Sequence, residues 1–275
     1  MTHFCVSVDV EEDLPGTLAH SEQGIDEGLP ALLHLLAEVQ IRADFFFLSS
    51  VVQDHPDLVH DVIRGGHGIG NHGFDHGLLC RKSIEQQRKE IELSTRILQD
   101  ATGSSPVIFR APNFSVDEST LGLLAEAGYL VDSSILPGRF LRRFFRTIYD
   151  HRAAPQRPYQ VRFQRTDEQS SLLEVPVTPN PQRPGAPLGQ GALNAYGPRR
   201  LLDLGRALSP EVFVYLVHPW ELVDIGSSHP DLPPGYANVC SSDLGRLREF
   251  LSEVSKTFAI TTLADYLRLE RGEMT

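Results

Sequence analysis

Cysteine is scarce in this chain: Cys5, Cys80 and Cys240 are the three in 275 residues. They are too few and too scattered for a disulfide framework, and no Cys-x-x-Cys pair offers a structural zinc site. No apolar run reaches the about 18 residues that a membrane span requires. The opening residues, MTHFCVSVDVEEDLP, turn acidic after a handful of apolar positions, which is not the pattern of a signal peptide. A cytoplasmic protein is the expectation. Basic residues are in deficit, 25 against 36 acidic ones, for a formal charge of −11. That balance argues against a nucleic-acid partner. Internal repeats, heptads and low-complexity tracts are missing too. With 41% hydrophobic residues, the chain can nevertheless fill a core.

What is present is a rhythm. Residues 4–8 (FCVSV) have the length and β-branched content of a strand. Residues 28–41 carry Leu32, Leu33, Leu35, Leu36 and Val39 at helical spacing, with Pro30 in the first turn. The alternation continues with strands at 43–48, 67–71, 106–110, 129–132, 172–177, 212–217 and 258–261. Helices are expected at 57–64, 83–101, 117–127, 198–208, 243–256 and 263–269. Strand and helix in turn predict an α/β fold, a parallel sheet closed into a barrel of about seven strands, in a single domain over residues 1–275. Two stretches interrupt it. Residues 138–170 carry Arg139, Arg142, Arg143 and Arg146, read as a solvated basic face, and then a hairpin. Residues 178–197, rich in Pro and Gly, read as a long loop.

In parallel barrels the working residues gather at the carboxyl ends of the strands. Here those ends deliver Asp9 and Glu11, then His72 and His76, then Arg110, Asp132 and His218. His72 and His76, four apart, would lie on one face of a helical turn and reach a single divalent ion. The plainer account is two surface or capping histidines. The spacing is not that of a zincin helix, because Gly73 stands where His-Glu-x-x-His needs its base. Asp9 and Glu11, two apart on an extended chain, face the same side. One carboxylate would complete the metal set, while the other takes a proton from water. Acid runs are more often solvated loops, which is the expectation for Glu12 and Asp13. Arg110 ends an apolar strand and needs a partner if buried, for which Asp9 would serve. His218 follows a buried strand, where an oriented histidine can act as an acid near neutral pH. Trp220, the only tryptophan, offers a flat wall to a sugar or simply fills core.

Taken in order, SVDVEED (residues 7–13), GHGIGNHGFDH (66–76), FRAPNFS (109–115) and YLVHPWE (215–221) resemble the polysaccharide deacetylase family. These are the NodB-homology or carbohydrate esterase family 4 proteins. RAPNFS and HPWE are most similar to a branch associated with bacterial exopolysaccharide gene clusters. The resemblance spans about residues 4–218 and implies a distorted (β/α) barrel that binds a divalent metal. Zinc is implied first, with cobalt, nickel or manganese as alternatives. It implies Asp9 as the base, His72 and His76 as metal ligands, Arg110 as the residue positioning the base, and His218 as the acid. Leu216 would line the pocket for the acetyl methyl, and Pro112, Asn113 and Trp220 would contact substrate. The family's adjacent aspartates are replaced by Asp9-Val10-Glu11, which makes Glu11 the implied metal carboxylate. Its groove-lining Asp-Trp motif is missing, so Asp132 and Glu174 both stand as partners for His218.

The expected activity is hydrolysis of an N-acetyl or O-acetyl group from a sugar, a glycan or a lipid-linked sugar. Two alternatives stay open. One is a deacylase, deformylase or amidohydrolase of a small or lipid-linked substrate. The other is a catalytically idle, glycan-binding barrel.

Overall fold

The computed structural model describes residues 2–18, 20–163, 169–232 and 240–274. Strand β1 (His3–Val10) runs at the centre of the sheet and shows how the layers form. Its even-numbered residues Phe4, Val6, Val8 and Val10 face an outer layer, where they meet Leu29, Leu32 and Leu36 of the flanking chain. Its odd-numbered residues face the other side, where Cys5 packs with Phe46, Ile108 and Val214. Alternation therefore separates an outer, helix-covered core from an inner one.

The remaining strands are β2 (Ala43–Phe47), β3 (Gly68–Asn71), β4 (Ile108–Phe109), β5 (Val131–Asp132), β6 (Phe140–Arg143), β7 (Arg146–Asp150), β8 (Tyr159–Arg162), β9 (Gln169–Glu174), β10 (Val212–Val217) and β11 (Ala259–Ile260). In space the order β10-β1-β2-β3-β4-β5-β9 is parallel throughout, which makes the seven strands expected. β8 joins antiparallel beyond β9, and β11 pairs with the start of β1. The sheet curls into a half-barrel. Its ladder is not closed, because among the described residues no strand pairing joins β9 to β10. Thr178 bridges that gap: its Oγ1 accepts from Val214 N at 3.0 Å.

Helices α1 (Leu29–Glu38), α2 (Ser49–Asp54), α3 (Pro56–Arg64), α4 (Ile84–Thr102), α5 (Glu118–Glu126), α6 (Gln190–Tyr196) and α7 (Pro198–Leu208) follow the strands, with further helices at Ile225–Ser228, Gly245–Thr257 and Leu263–Glu270. Two of these depart from expectation. α2 is only six residues long, too short to show a helical period. α6 lies in the stretch read as a long loop, where Leu193 joins the outer core and Gln190 accepts from Tyr215 Oη at 2.7 Å. Tertiary contact supplies what its seven residues cannot. After the arginines of 138–170, where a hairpin is expected, β8 and β9 form an antiparallel pair, and the arginines themselves lie on or beside a further hairpin, β6–β7. Residues 164–168 of that stretch lie outside the described residues.

Candidate active site

Strand parity delivers the site. On β1, Asp9 continues the inner-facing series of Cys5 and Ser7, and Glu11 follows just past the strand end. On β10, Val212, Val214 and Leu216 face the inner core, and His218 is the next residue of that parity. Arg110 directly follows β4, and Asn71 ends β3 and opens the histidine segment.

That segment is not the helical turn expected from the spacing of its histidines. Residues 72–78 form an irregular loop. Asn71 shapes it: Oδ1 accepts from Gly73 N at 2.8 Å, and Nδ2 donates to Ser94 Oγ and Tyr129 Oη. Gly73 has φ +86°, a conformation that L side chains rarely adopt, which favours glycine over the helical alternative. The loop still aims both imidazoles at one carboxylate. His72 Nε2 lies 3.3 Å and His76 Nε2 2.8 Å from Glu11 Oε2. Glu11, His72 and His76 each offer one ligand atom, all within 4.8 Å of one another.

This donor set fits a divalent cation. His72 Nδ1 is 2.7 Å from the Arg110 carbonyl, which only accepts, so that nitrogen carries a proton. In the neutral ring Nε2 is then a lone pair facing a carboxylate oxygen, and a cation satisfies both. Burial pushes the Glu11 carboxyl up, yet His76, His218 and His72 outweigh it and hold it well below the usual range.

Asp9 stands beside the triad. Its Oδ1 accepts from Arg110 Nη1 at 2.8 Å, and both side chains are buried. Arg110 is fully enclosed, donating also to Ser7 Oγ, Ser133 O and Ser133 Oγ, with its guanidinium over the Phe46 ring. The other oxygen of Asp9, Oδ2, lies 3.9 Å from both His72 Nε2 and His218 Nε2. His218 is held by Glu221, whose Oε2 is 3.0 Å from Nδ1 and accepts from the backbone N of His218 at 2.9 Å. Burial pulls the His218 pKa down, but Glu11, Glu221 and Asp9 prevail and push it up to about 9. Trp220 stacks on the His218 ring at 4.8 Å and donates to Glu11 Oε1 at 3.2 Å.

A cavity of about 360 Å³ opens over these groups, walled by Asn113, Phe114, Arg139, Leu216 and Trp220. Asn113 also reaches His76, Nδ2 to Nδ1 at 3.1 Å. Pro112 does not line the cavity. It is buried behind the wall, against Gly73, while its neighbours Ala111 and Asn113 face the space. Asp132 and Glu174, offered as partners of His218, are fully buried register neighbours on β5 and β9. They accept from Ser134 and Ile135 instead, and the acid on His218 is Glu221, three residues along its own chain. Asp13 is not solvated either. It is buried and accepts from Gln23 N and Gly24 N, anchoring the short turn Gly24–Gly28. That turn presses so closely on the His218 segment that a Cβ at Gly28 would meet Pro219 O at 2.2 Å. Arg139, read as part of a solvated face, is half-buried. It donates to Tyr149 Oη and Gly185 O and lies over the Phe114 ring.

Residues 20–131 match the family model described as polysaccharide deacetylase, a span that holds His72, His76 and Arg110. A peptidoglycan deacetylase of Helicobacter pylori is 24% identical over 135 residues, 49% of this chain and 46% of that protein. A peptidoglycan-N-acetylglucosamine deacetylase of Bacillus cereus is 32% identical over 100 residues, 36% of this chain and 46% of that protein. The chain thus spans less than half the length of these relatives. Among solved structures, a Mycobacterium smegmatis protein described as a candidate polysaccharide deacetylase superposes with a TM-score of 0.69 at 22% identity, covering 99% of this chain and 91% of that one. No helix among the described residues is long and apolar enough to cross a membrane. Fold, motif order and sequence matches thus agree in making the chain similar to the polysaccharide deacetylase family.

Proposed function

We propose that the protein is a metal-dependent hydrolase that removes an N-acetyl or O-acetyl group from a carbohydrate or glycan precursor. The convergence of Glu11, His72 and His76 beside Asp9 and His218 in one cavity carries this reading. Glu11 Oε2, His72 Nε2 and His76 Nε2 are the atoms that would hold the ion, and oxygen–nitrogen donors of this kind suit zinc, with cobalt, nickel or manganese as substitutes. An ion held there would supply polarisation of the acyl carbonyl and a lowered pKa of water. Asp9 Oδ2 takes the proton of the attacking water, while Arg110 occupies Oδ1 and orients the carboxylate. His218 Nε2 protonates the departing sugar nitrogen or oxygen, and Glu221 fixes its ring through Nδ1. A backbone N–H assists in holding the developing oxyanion. Leu216 and Asn113 shape the acyl pocket, and Trp220 offers the sugar a flat wall.

The proposed acid and base must hold opposite charges within a few ångströms, and the pairs Arg110–Asp9 and Glu221–His218 supply that separation. A binding-only barrel has no use for it, which argues against the idle alternative. Residues 1–275 are proposed as one catalytic domain, because one sheet takes in strands from near both ends of the chain, β1 and β11, with β6–β7 as a separate hairpin. Three unpaired cysteines fit a reducing compartment and support a cytoplasmic site of action. The motif resemblance to exopolysaccharide-cluster proteins makes a bacterial glycan precursor the first substrate to try, followed by nucleotide sugars and formylated amines. The deciding experiment is acetate release by the purified chain before chelation, after it, and after zinc or cobalt is returned. Loss and recovery support the reading, and full activity in an extensively chelated sample contradicts it.

A further inference from the structure

The β6–β7 hairpin carries a feature that the catalytic reading does not use. Its two-residue loop is Phe144-Phe145, between the register partners Arg143 and Arg146. Both phenylalanines have positive φ, 46° and 65°. A loop of this kind favours Asn-Gly, and two bulky aromatic residues there cost folding free energy. They also pack against almost nothing: Phe144 and Phe145 are 92% and 91% exposed, and the next most exposed large apolar residue, Ile84, is at 59%. A locally unfavourable sequence that holds two phenyl rings in water points to a use outside the fold.

The surroundings of the tip are basic although the chain as a whole carries −11. Arg142, Arg143 and Arg146 flank the rings, Arg142 with its guanidinium over Phe145, and Arg81 lies with Arg143 and Arg146 around a hollow beside Phe144. None of these four guanidinium groups makes an ion pair among the described residues, whereas nearby Lys82 is taken by Asp75 and Glu90. A depression of about 610 Å³, lined by Arg81, Arg139 and Arg143, runs from the hairpin base and shares Pro15, His76, Asn113 and Arg139 with the cavity over the proposed metal site. Hairpin tip, basic depression and site therefore lie on one continuous face.

We propose that this face docks on an anionic lipid bilayer, with Phe144 and Phe145 entering the headgroup boundary and Arg142, Arg143 and Arg146 pairing with lipid phosphates. Apolar anchors ringed by arginine are the combination that binds such a surface, since aromatic burial and phosphate attraction add. A second copy of this chain fits less well, because two such tips would bring six arginines together around four rings. Docking turns the mouth of the site toward lipid-carried substrates, and it holds whether or not the site is a deacetylase.

The test is co-sedimentation of the full chain with vesicles of phosphatidylcholine alone and of a phosphatidylcholine–phosphatidylglycerol mixture. Binding is expected to the anionic vesicles only and to weaken as salt is raised. The Arg142→Glu/Arg143→Glu/Arg146→Glu variant should bind about a hundredfold more weakly. The Phe144→Ser/Phe145→Ser variant should bind about tenfold more weakly. Both variants should keep the wild-type far-UV spectrum and metal stoichiometry. No binding to anionic vesicles, equal binding to neutral ones, or variants that bind like wild type would overturn the proposal. So would a stable dimer in solution that the phenylalanine variant dissociates.

Discussion

Two groups of carboxylates are buried in this molecule, and they behave in opposite ways. Asp9 and Glu11 at the rim are 3% and 2% exposed, while Asp44, Asp132 and Glu174 are at 0%. Burial is thus nearly the same, but the company differs. Glu11 faces three imidazoles, which hold it ionised against the cost of desolvation. Asp44, near the opposite end of the half-barrel, has mainly the Leu263 N–H on Oδ2, and burial raises its pKa to about 7. Asp132 and Glu174 adjoin each other, and burial raises both, with Asp132 adding to the shift of Glu174. Among the described residues, Asp44 Oδ1 has no hydrogen-bond partner. Burial alone makes a carboxyl a neutral, structural group, and burial among cations makes it a ligand or a base.

Exchanging members of the two groups should separate their roles. The largest effect is expected from Asp9→Asn, which should lower acetate release about a thousandfold while leaving the far-UV spectrum unchanged. Asp44→Asn in the same assay should retain wild-type turnover. A comparable loss from both would erase the distinction. Next comes His218→Ala, with a loss of about a hundredfold in the same assay.

Glu221→Gln should cost about tenfold and also move the pH profile. Burial lowers the His218 pKa, and Glu11, Glu221 and Asp9 more than offset it, raising it to about 9. The proton-donating form is therefore present at neutral pH and is lost as pH rises through that value. Removing the Glu221 charge should shift the alkaline limb of kcat to lower pH. A limb that stays in place would assign it to another group.

The smallest effect is on stability. Asp44 moves from an ordinary 3.8 to about 7 in the folded state, so folding favours its protonated form. Its contribution is full below the lower value and falls as pH rises through the upper one. Asp44→Asn should remove about 2 kcal/mol of the stability lost between about pH 5 and about pH 8, read by urea denaturation.

Much of this was legible in the sequence because strand periodicity is strict. Once residues 4–8 and 212–217 read as buried parallel strands, Asp9 and His218 fell at their carboxyl ends, on one rim. The Arg110–Asp9 pair followed from the cost of an unpaired buried guanidinium. Contacts made by irregular backbone were less legible. Glu221 lies within a quoted motif, yet only the turn Pro219–Leu222 folds its carboxylate back onto His218. Asp13 reads as a solvated loop acid until the segment leading into the Gly24–Gly28 turn brings two backbone N–H groups to it. The histidine loop misled in the other direction. Spacing suggested a helical turn, whereas Asn71 and Gly73 reach the same convergence without one. Arg139 has the composition of a surface basic run, and only the packing of Phe114 and Tyr149 draws it into the cavity wall.

The central claim is that Glu11, His72 and His76 hold one divalent ion, and the most direct measurement is calorimetric zinc titration of the demetallated chain. Wild type should bind one equivalent. Glu11→Gln and His72→Ala should each weaken that binding by at least about tenfold, with Asp44→Asn unchanged. No zinc uptake by wild type, or the same uptake by all four proteins, would contradict the account.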